Sequence, residues 1–293
     1  TIDVELQMRA ERILSGVGPA SALVAVRPSD GAILAAASGP GSEGLSTATL
    51  GQYAPGSTFK TVSALALLRE GLTPDSPVPC TDGVVVDGYR FDNWEGYPAS
   101  ALGEVPLHTA LAHSCNSAFI NARDRVTQDE LIAAAGALGL TAEPELVVGA
   151  FLGSVPAEGT VVEHAASMIG QGKVVASPLG MATVMASVIA GHTVAPVLVD
   201  EPREPTLPAA PLTEAEAAAL RSLLANNAVE GGYGALAGLD GVLAKTGTAT
   251  YAPEQYHAWV IVGHGDLAVA AFVADGRYGG SDAAPLAAEF LRG

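Results

Sequence analysis

Three short clusters in this 293-residue chain carry residue types that can do nucleophilic chemistry. The first is Ser57-Thr58-Phe59-Lys60, entered through Pro55-Gly56. A serine hydroxyl is a poor nucleophile at neutral pH and needs a base within hydrogen-bond reach. A lysine three residues on lies on the same helical face, and once desolvated it can lose its proton and serve. The second cluster is Ser114-Cys115-Asn116, and the third is Lys245-Thr246-Gly247-Thr248. Taken singly, each has an ordinary structural reading. Lys60 could be a surface lysine lying along its helix, Ser114-Cys115-Asn116 a helix start, and Lys245-Thr246-Gly247 a strand end. Together and in this order they are harder to dismiss. A Lys-Thr-Gly triplet arises by chance about one time in fifty in a chain of this composition. Lys60, Lys173 and Lys245 are its only lysines, against eleven arginines, and two of them fall inside the clusters. Lys173 follows a Gly-Gln-Gly turn and reads as structural or solvated.

The clusters need elements to hold them. Val62, Leu65, Leu67 and Leu68 continue an apolar run behind Lys60 as far as Gly71, which places Ser57 in the first turn of a buried helix. Ser114-Cys115-Asn116 falls inside a helical, apolar stretch with Ala110, Leu111, Ala118 and Phe119. Lys245 to Thr248 falls on a strand expected from Gly241 to Ala249. Upstream, Asp3 caps a helix with Leu6, Ala10, Ile13 and Leu14 on one face, ending at Gly16 to Gly18. Strands follow at Ala20 to Arg27 and Ala32 to Ala37, turned by Pro28-Ser29-Asp30-Gly31. Gly39 to Leu50 reads as a loop of small residues. Thr73 to Gly103, rich in Pro, Gly and Asp, reads as an irregular excursion with Tyr89, Phe91, Trp94 and Tyr97. It is either a cleft wall or a set of surface loops pinned by their own aromatics.

Helices dominate the next stretch. One opens on the capping box of Thr127 with Glu130 and closes near Gly139, and one runs from Ser177-Pro178 to Gly191. A third, capped by Thr213 with Glu216, runs to Gly231-Gly232, and a proline-rich loop from Glu201 to Pro211 precedes it. Strands return at Tyr256 to His264 and Leu267 to Asp275 about the turn His264-Gly265-Asp266, and a helix from Ala283 to Arg292 ends the chain. The pattern predicts an α+β fold: a mostly antiparallel sheet built from both chain ends, flanked by helices, with an inserted helical lobe. A single domain over 1–293 is expected, with a sheet subdomain at about 1–52 and 236–293 and a helical one at about 53–235.

Composition narrows the function. With 49% hydrophobic residues the chain has material for one large core, and no apolar run approaches the ~20 residues of a membrane span. No secretory signal stands at Thr1, so a targeting segment has been removed or lies outside this chain. A net charge of −17 argues against nucleic acid or an anionic membrane surface as partner, and solubility is its ordinary meaning. The six histidines show no metal-ligand spacing, so neither a metal nor another cofactor is expected. Cys80 and Cys115 allow one internal disulfide at most. Two inert thiols are the alternative, and a bridge is favoured only outside the cytoplasm.

The three clusters resemble the motif set of the penicillin-recognising serine acyltransferases. Further segments are similar to the transpeptidase domain of penicillin-binding proteins. They are Thr1-Ile2-Asp3-Val4-Glu5-Leu6-Gln7, Gly31-Ala32-Ile33-Leu34-Ala35, Gly170-Gln171-Gly172 with Ser177-Pro178-Leu179, and His257-Ala258-Trp259. The resemblance spans essentially the whole chain and looks like a class B, high-molecular-mass enzyme without its anchor and N-terminal module.

It implies that Ser57 attacks the carbonyl of a terminal D-Ala-D-Ala peptide, with Lys60 as base because burial and Lys245 disfavour its ammonium. Ser114 would bridge Lys60 and Lys245 and pass the proton to the departing amine, while Asn116 holds Lys60 and a substrate amide. Lys245 with the hydroxyls of Thr246 and Thr248 would bind the terminal carboxylate, and the N–H groups of Ser57 and Thr248 would form the oxyanion hole. Gly247, without a side chain, would let substrate lie along the strand edge. Implied partners are peptidoglycan stem peptides and β-lactams, with cell-division or elongation proteins for the missing N-terminal region. The implied location is extracytoplasmic, on a membrane anchor absent from this chain, where a Cys80–Cys115 bridge would pin the cleft wall.

Transpeptidases, β-lactamases and β-lactam sensors share this constellation. Hydrolysis of the acyl-enzyme in class A β-lactamases uses a glutamate, and Glu143-Pro144-Glu145-Leu146 looks like its segment, with Val147 in place of the asparagine. Glu143 is read instead as a solvated loop acid. Class D β-lactamases carry Ser-x-Val where Asn116 stands. The reading is therefore a peptidoglycan D,D-transpeptidase. A D,D-carboxypeptidase, a serine β-lactamase or a sensor domain are the alternatives.

Overall fold

Strands from both ends of the chain meet in one five-stranded antiparallel sheet, and the remaining elements are arranged around it. The computed structural model describes residues 1–199, 206–231 and 233–293. In chain order the elements begin with α1 (Val4–Leu14), β1 (Ser21–Val26), β2 (Ile33–Ser38), α2 (Thr47–Leu50) and α3 (Lys60–Arg69). The excursion carries β3 (Pro77–Cys80), β4 (Gly83–Val86), β5 (Tyr89–Asp92) and β6 (Gly103–Pro106). Next come α4 (Leu107–Ala112), α5 (Asn116–Asn121), α6 (Gln128–Ala137), β7 (Gly153–Ser154), α7 (Val161–Ser167) and β8 (Val175–Ala176). Then follow α8 (Pro178–Ala190), α9 (Glu214–Glu230), β9 (Leu243–Ala252), β10 (Gln255–His264), β11 (Leu267–Gly276) and α10 (Ala284–Arg292).

The sheet order is β2-β1-β11-β10-β9, which puts β9, the strand of Lys245 to Thr248, on a free edge. The period-2 alternation of strands gives the sheet two apolar faces. Ala22, Val24, Trp259, Ile261, Ala270 and Phe272 join the larger core with the helices of the middle segment. Leu23, Ala25, Val260, Val262, Ala271 and Val273 pack under α1 and α10. Helix α8 lies against β1 and β11 and is buried on every side from Pro178 to Val188, as a helix apolar all round must be.

Local signals behave as their chemistry requires. Asp3 accepts from the N–H groups of Glu5 and Leu6 to start α1, and capping boxes open α6 and α9 at Thr127 and Thr213. Ser177 caps α8, and Gly191 ends it at φ 81°. The structure also corrects several expectations. Gly39 to Leu50 is not all loop, since it holds a 3-10 turn at Pro40–Ser42 and α2. The excursion from Thr73 to Gly103 is built of two-stranded pieces, β3 with β6 and β4 with β5. Strands of four residues with partly exposed faces leave no alternation to read. Helix α7, opened by a capping box of Thr160 with Glu163, stands where the sequence pattern predicts no element. Of the proline-rich stretch, residues 201–205 lie outside the described residues, as does Gly232.

Candidate active site

Ser57 sits in a 3-10 turn, Gly56–Phe59, that runs straight into α3, so the expected first helical turn is tighter than α. Backbone contacts shape this turn. Gly56 has φ 53°, and a Cβ there would lie 2.5 Å from Thr248 O, so no side chain fits. Its N–H donates to Gly170 O at 2.9 Å. Gly170 in turn has φ 67° and would place a Cβ 2.3 Å from Gly56 O, which explains the first glycine of Gly170-Gln171-Gly172. On the sheet side, Trp259 Nε1 donates to Ala54 O at 2.9 Å. Lys60 begins α3 and is fully buried there.

Ser114-Cys115-Asn116 does not lie inside one continuous helix but at the start of α5, with Cys115 as its cap and Asn116 as its first residue. It forms the break between α4 and α5, with Ser114 at φ 59°. Asn93 holds this break: its Oδ1 accepts from the N–H groups of Asn116 (2.9 Å) and Ser117 (3.1 Å). Asn116 Nδ2 donates to Asp92 O at 2.8 Å, which turns Asn116 Oδ1 toward Lys60. A disulfide joins Cys115 to Cys80 at the end of β3, across a Cα–Cα distance of 6.1 Å.

Lys60 Nζ lies 2.7 Å from Asn116 Oδ1, 2.8 Å from Ser114 O and 3.2 Å from Ser114 Oγ. Lys245, also fully buried, donates to Ser114 Oγ and to Thr246 O, each at 3.0 Å. One hydroxyl therefore stands between two amines. Burial holds the Lys60 ammonium well below the ordinary lysine range, and the positive charge of Lys245 adds to the effect. β9 passes so close to the nucleophile turn that a Cβ on Gly247 would lie 2.7 Å from Pro55 O and 3.0 Å from Thr58 N. Thr248 Oγ1 accepts from Gly279 N at 3.3 Å. Above these groups opens a cleft of about 630 Å³, whose walls include Ser57, Ser114, Asn116, Thr246, Gly247 and Thr248.

A family model described as the penicillin binding protein transpeptidase domain matches residues 21–292. The chain belongs to that family. It is 32% identical over 268 residues to a peptidoglycan D,D-transpeptidase PbpA of Mycolicibacterium smegmatis, covering 80% of this chain and 53% of that protein. Its fold matches penicillin-binding protein A of M. tuberculosis, solved as a ceftriaxone acyl-enzyme complex, with TM-score 0.88 and 25% identity. That match covers 99% of this chain and 78% of the other. PBP2 of Pseudomonas aeruginosa matches with TM-score 0.86 at 24% identity, over 99% of this chain and 76% of that one, a likeness of fold. The chain spans about half the length of the curated relatives it matches.

This transpeptidase domain brings together every residue that the sequence nominated around Ser57. The hydroxyl of Ser57 itself makes no hydrogen bond among the described residues. Glu143 stands apart, lining a separate hollow with Pro28 and His192, and Lys173 pairs with Glu163 at 2.6 Å. Both readings of the excursion hold in part: Asp92, Asn93, Trp94 and Glu95 form a cleft wall, while Tyr89 meets Phe91 and Trp94 meets Tyr97 ring to ring, pinning the exposed loops. Asn93 escaped sequence reasoning, since one asparagine in an Asp-rich stretch carries no mark of its long-range role. Tyr233, whose hydroxyl lies 3.5 Å from Lys245 Nζ, escaped it too. Among the described residues, no cluster of His, Cys, Asp or Glu is placed to hold a metal, and no helix is long and apolar enough to cross a membrane.

Proposed function

We propose that this domain is a peptidoglycan D,D-transpeptidase working outside the cytoplasm through a Ser57 acyl-enzyme, and that β-lactams trap it as long-lived acyl adducts. The observation that carries the reading is Ser114 Oγ at 3.2 Å from Lys60 Nζ and 3.0 Å from Lys245 Nζ, in the cleft that holds Ser57. A neutral lysine has two N–H donors and one lone pair. Lys60 Nζ meets three acceptors, Asn116 Oδ1, Ser114 O and, at the longest distance, Ser114 Oγ; loss of its proton keeps the two short contacts and turns the third position into a lone pair.

In this reading Ser57 Oγ attacks the carbonyl carbon of the penultimate D-Ala, and its proton goes to Lys60 Nζ. The carbonyl oxygen becomes an oxyanion between the N–H groups of Ser57 and Thr248, where loss of one donor costs about 3–4 kcal/mol of transition-state stabilisation. The C–N bond breaks as the proton travels by way of Ser114 to the leaving D-Ala amine. An acceptor amine then attacks the ester carbonyl, the C–O bond to Ser57 breaks, and Ser57 recovers its proton. Lys245 and the hydroxyls of Thr246 and Thr248 hold the donor carboxylate, and the bare Gly247 lets the donor pair along β9. Glu143, the candidate base for class A hydrolysis, lines a separate hollow, which favours transfer over that arrangement.

The test is product partition from a thioester mimic of an acyl-D-Ala donor, with and without an amino-acid acceptor. The amide product should grow with acceptor concentration at the expense of the free acid. Release of free acid alone at every acceptor concentration would replace the transferase with a carboxypeptidase.

A further inference from the structure

We propose that Glu95, beside Trp94, is a cation-recognising position on the cleft wall that favours acyl donors carrying a free ammonium in their acyl portion. This rests on the acyltransferase reading and deepens it by naming a feature of the donor.

Of the described residues lining the cleft, Asp92 and Glu95 are the carboxylates, and none is a lysine or an arginine. Lys60 and Lys245 are buried beneath it. Arg90 Nε donates to Asp92 Oδ1 at 2.7 Å, so that carboxylate already has its cation. Glu95 is exposed and makes no hydrogen bond or ion pair among the described residues. It is the carboxylate of the cleft left without a partner.

Position and rigidity add to this. Asn116 Nδ2 bonds Asp92 O, so the wall of residues 92–95 adjoins the amide expected to hold the donor. In the binding mode proposed above, with the donor carboxylate at Lys245, Thr246 and Thr248, the acyl portion would extend past Asn116 toward this wall. Trp94, next to Glu95, keeps 46% of its surface exposed, yet it is fastened. Its Nε1 donates to His113 O at 3.1 Å, and its ring meets Tyr97 edge to face at 5.9 Å. Tyr97 OH lies 3.3 Å from Cys80 Sγ, one half of the disulfide that ties β3 to Cys115. An exposed indole held still at a cleft offers a π surface to a cation, and a neighbouring carboxylate supplies the charge. Both contributions are modest at a solvated site. Together they make a preference of about 3–10-fold.

Ampicillin and benzylpenicillin differ by one ammonium on the acyl side chain and so isolate this term. The measurement is the second-order rate of Ser57 acylation by each, for wild type, Glu95→Gln and Glu95→Lys. The ratio of ampicillin to benzylpenicillin rates should fall about threefold in Glu95→Gln and about tenfold in Glu95→Lys. Raising salt should shrink the wild-type preference. A lysine-containing donor peptide and its Nε-acetyl form should show the same dependence in kcat/KM. A ratio unmoved by Glu95→Lys overturns the proposal and leaves the acyltransferase reading standing. Failure of both penicillins to acylate the wild type overturns both.

Discussion

Gly247→Ala tests whether the close passage of β9 over the nucleophile turn matters to acylation. The new methyl would lie 2.7 Å from Pro55 O, 2.9 Å from Thr58 Cγ2 and 3.0 Å from Thr58 N. Comfortable contact begins at about 3.5 Å, so strand and turn must part by about 0.5–0.8 Å. Two of the three obstacles are backbone and cannot rotate aside. Overpacking of this kind costs about 1–3 kcal/mol. Gly→Ala in a strand returns about 0.4–1 kcal/mol by restricting the unfolded chain. The net loss, about 0–2.5 kcal/mol, is small against the ~5–15 kcal/mol of an ordinary domain, so the variant folds. Acylation is more sensitive, because the N–H groups of Thr248 and Ser57 belong to the two pieces being separated. A misplacement approaching 1 Å costs about 100-fold. The rate of acylation by benzylpenicillin, followed by intact mass, should fall about 10–100-fold while the circular dichroism spectrum is retained. Acylation within twofold of wild type, with the fold intact, would refute the reasoning.

The remaining predictions concern the groups beneath the cleft and its wall. Because the proton affinity of Lys60 is depressed in the folded protein, acylation should rise with pH through an apparent pKa well below the free-lysine value of about 10.4. Lys60→Arg should not acylate. The same depression means that unfolding takes up a proton between the folded and unfolded pKa values, so the stability tied to Lys60 grows with pH across that window and is lost as pH falls through it. Thermal unfolding from pH 6 to 10 should show this slope in the wild type and not in Lys60→Met. The Cys80–Cys115 bridge closes a sequence separation of 35 residues, so Cys80→Ala/Cys115→Ala should lose about 3–4 kcal/mol by chain-entropy arithmetic, read from denaturant unfolding. Two titratable thiols in the unreduced protein would contradict the bridge.

What the sequence made legible divides along local and long-range lines. Lys60 and Lys245 stood out because lysine is scarce here and one buried amine can serve as base. Thr127 with Glu130, Thr213 with Glu216, and Ser177-Pro178 announced their helices because caps are satisfied within four residues. Thr160 with Glu163 carries the same signal, yet the seven-residue α7 behind it has too short a face for periodicity to register. The break at Ser114 is different in kind. Its positive φ is held by Asn93 and by the link to Cys80, both distant in sequence, and nothing local in Ser114-Cys115-Asn116 marks it. The wall of residues 92–95 likewise acquires its role only when Asp92 and Asn93 meet Asn116.

The central claim is that Ser57, activated from beneath by two buried amines sharing the Ser114 hydroxyl, forms a covalent acyl-enzyme. Intact mass of the purified domain after mixing with benzylpenicillin tests it most directly, with Ser57→Ala as control. The account predicts a gain equal to one whole penicillin molecule, located on Ser57 by peptide mapping, persisting for many minutes and absent from the variant. An unmodified wild-type mass throughout, or an equal adduct on Ser57→Ala, would contradict it.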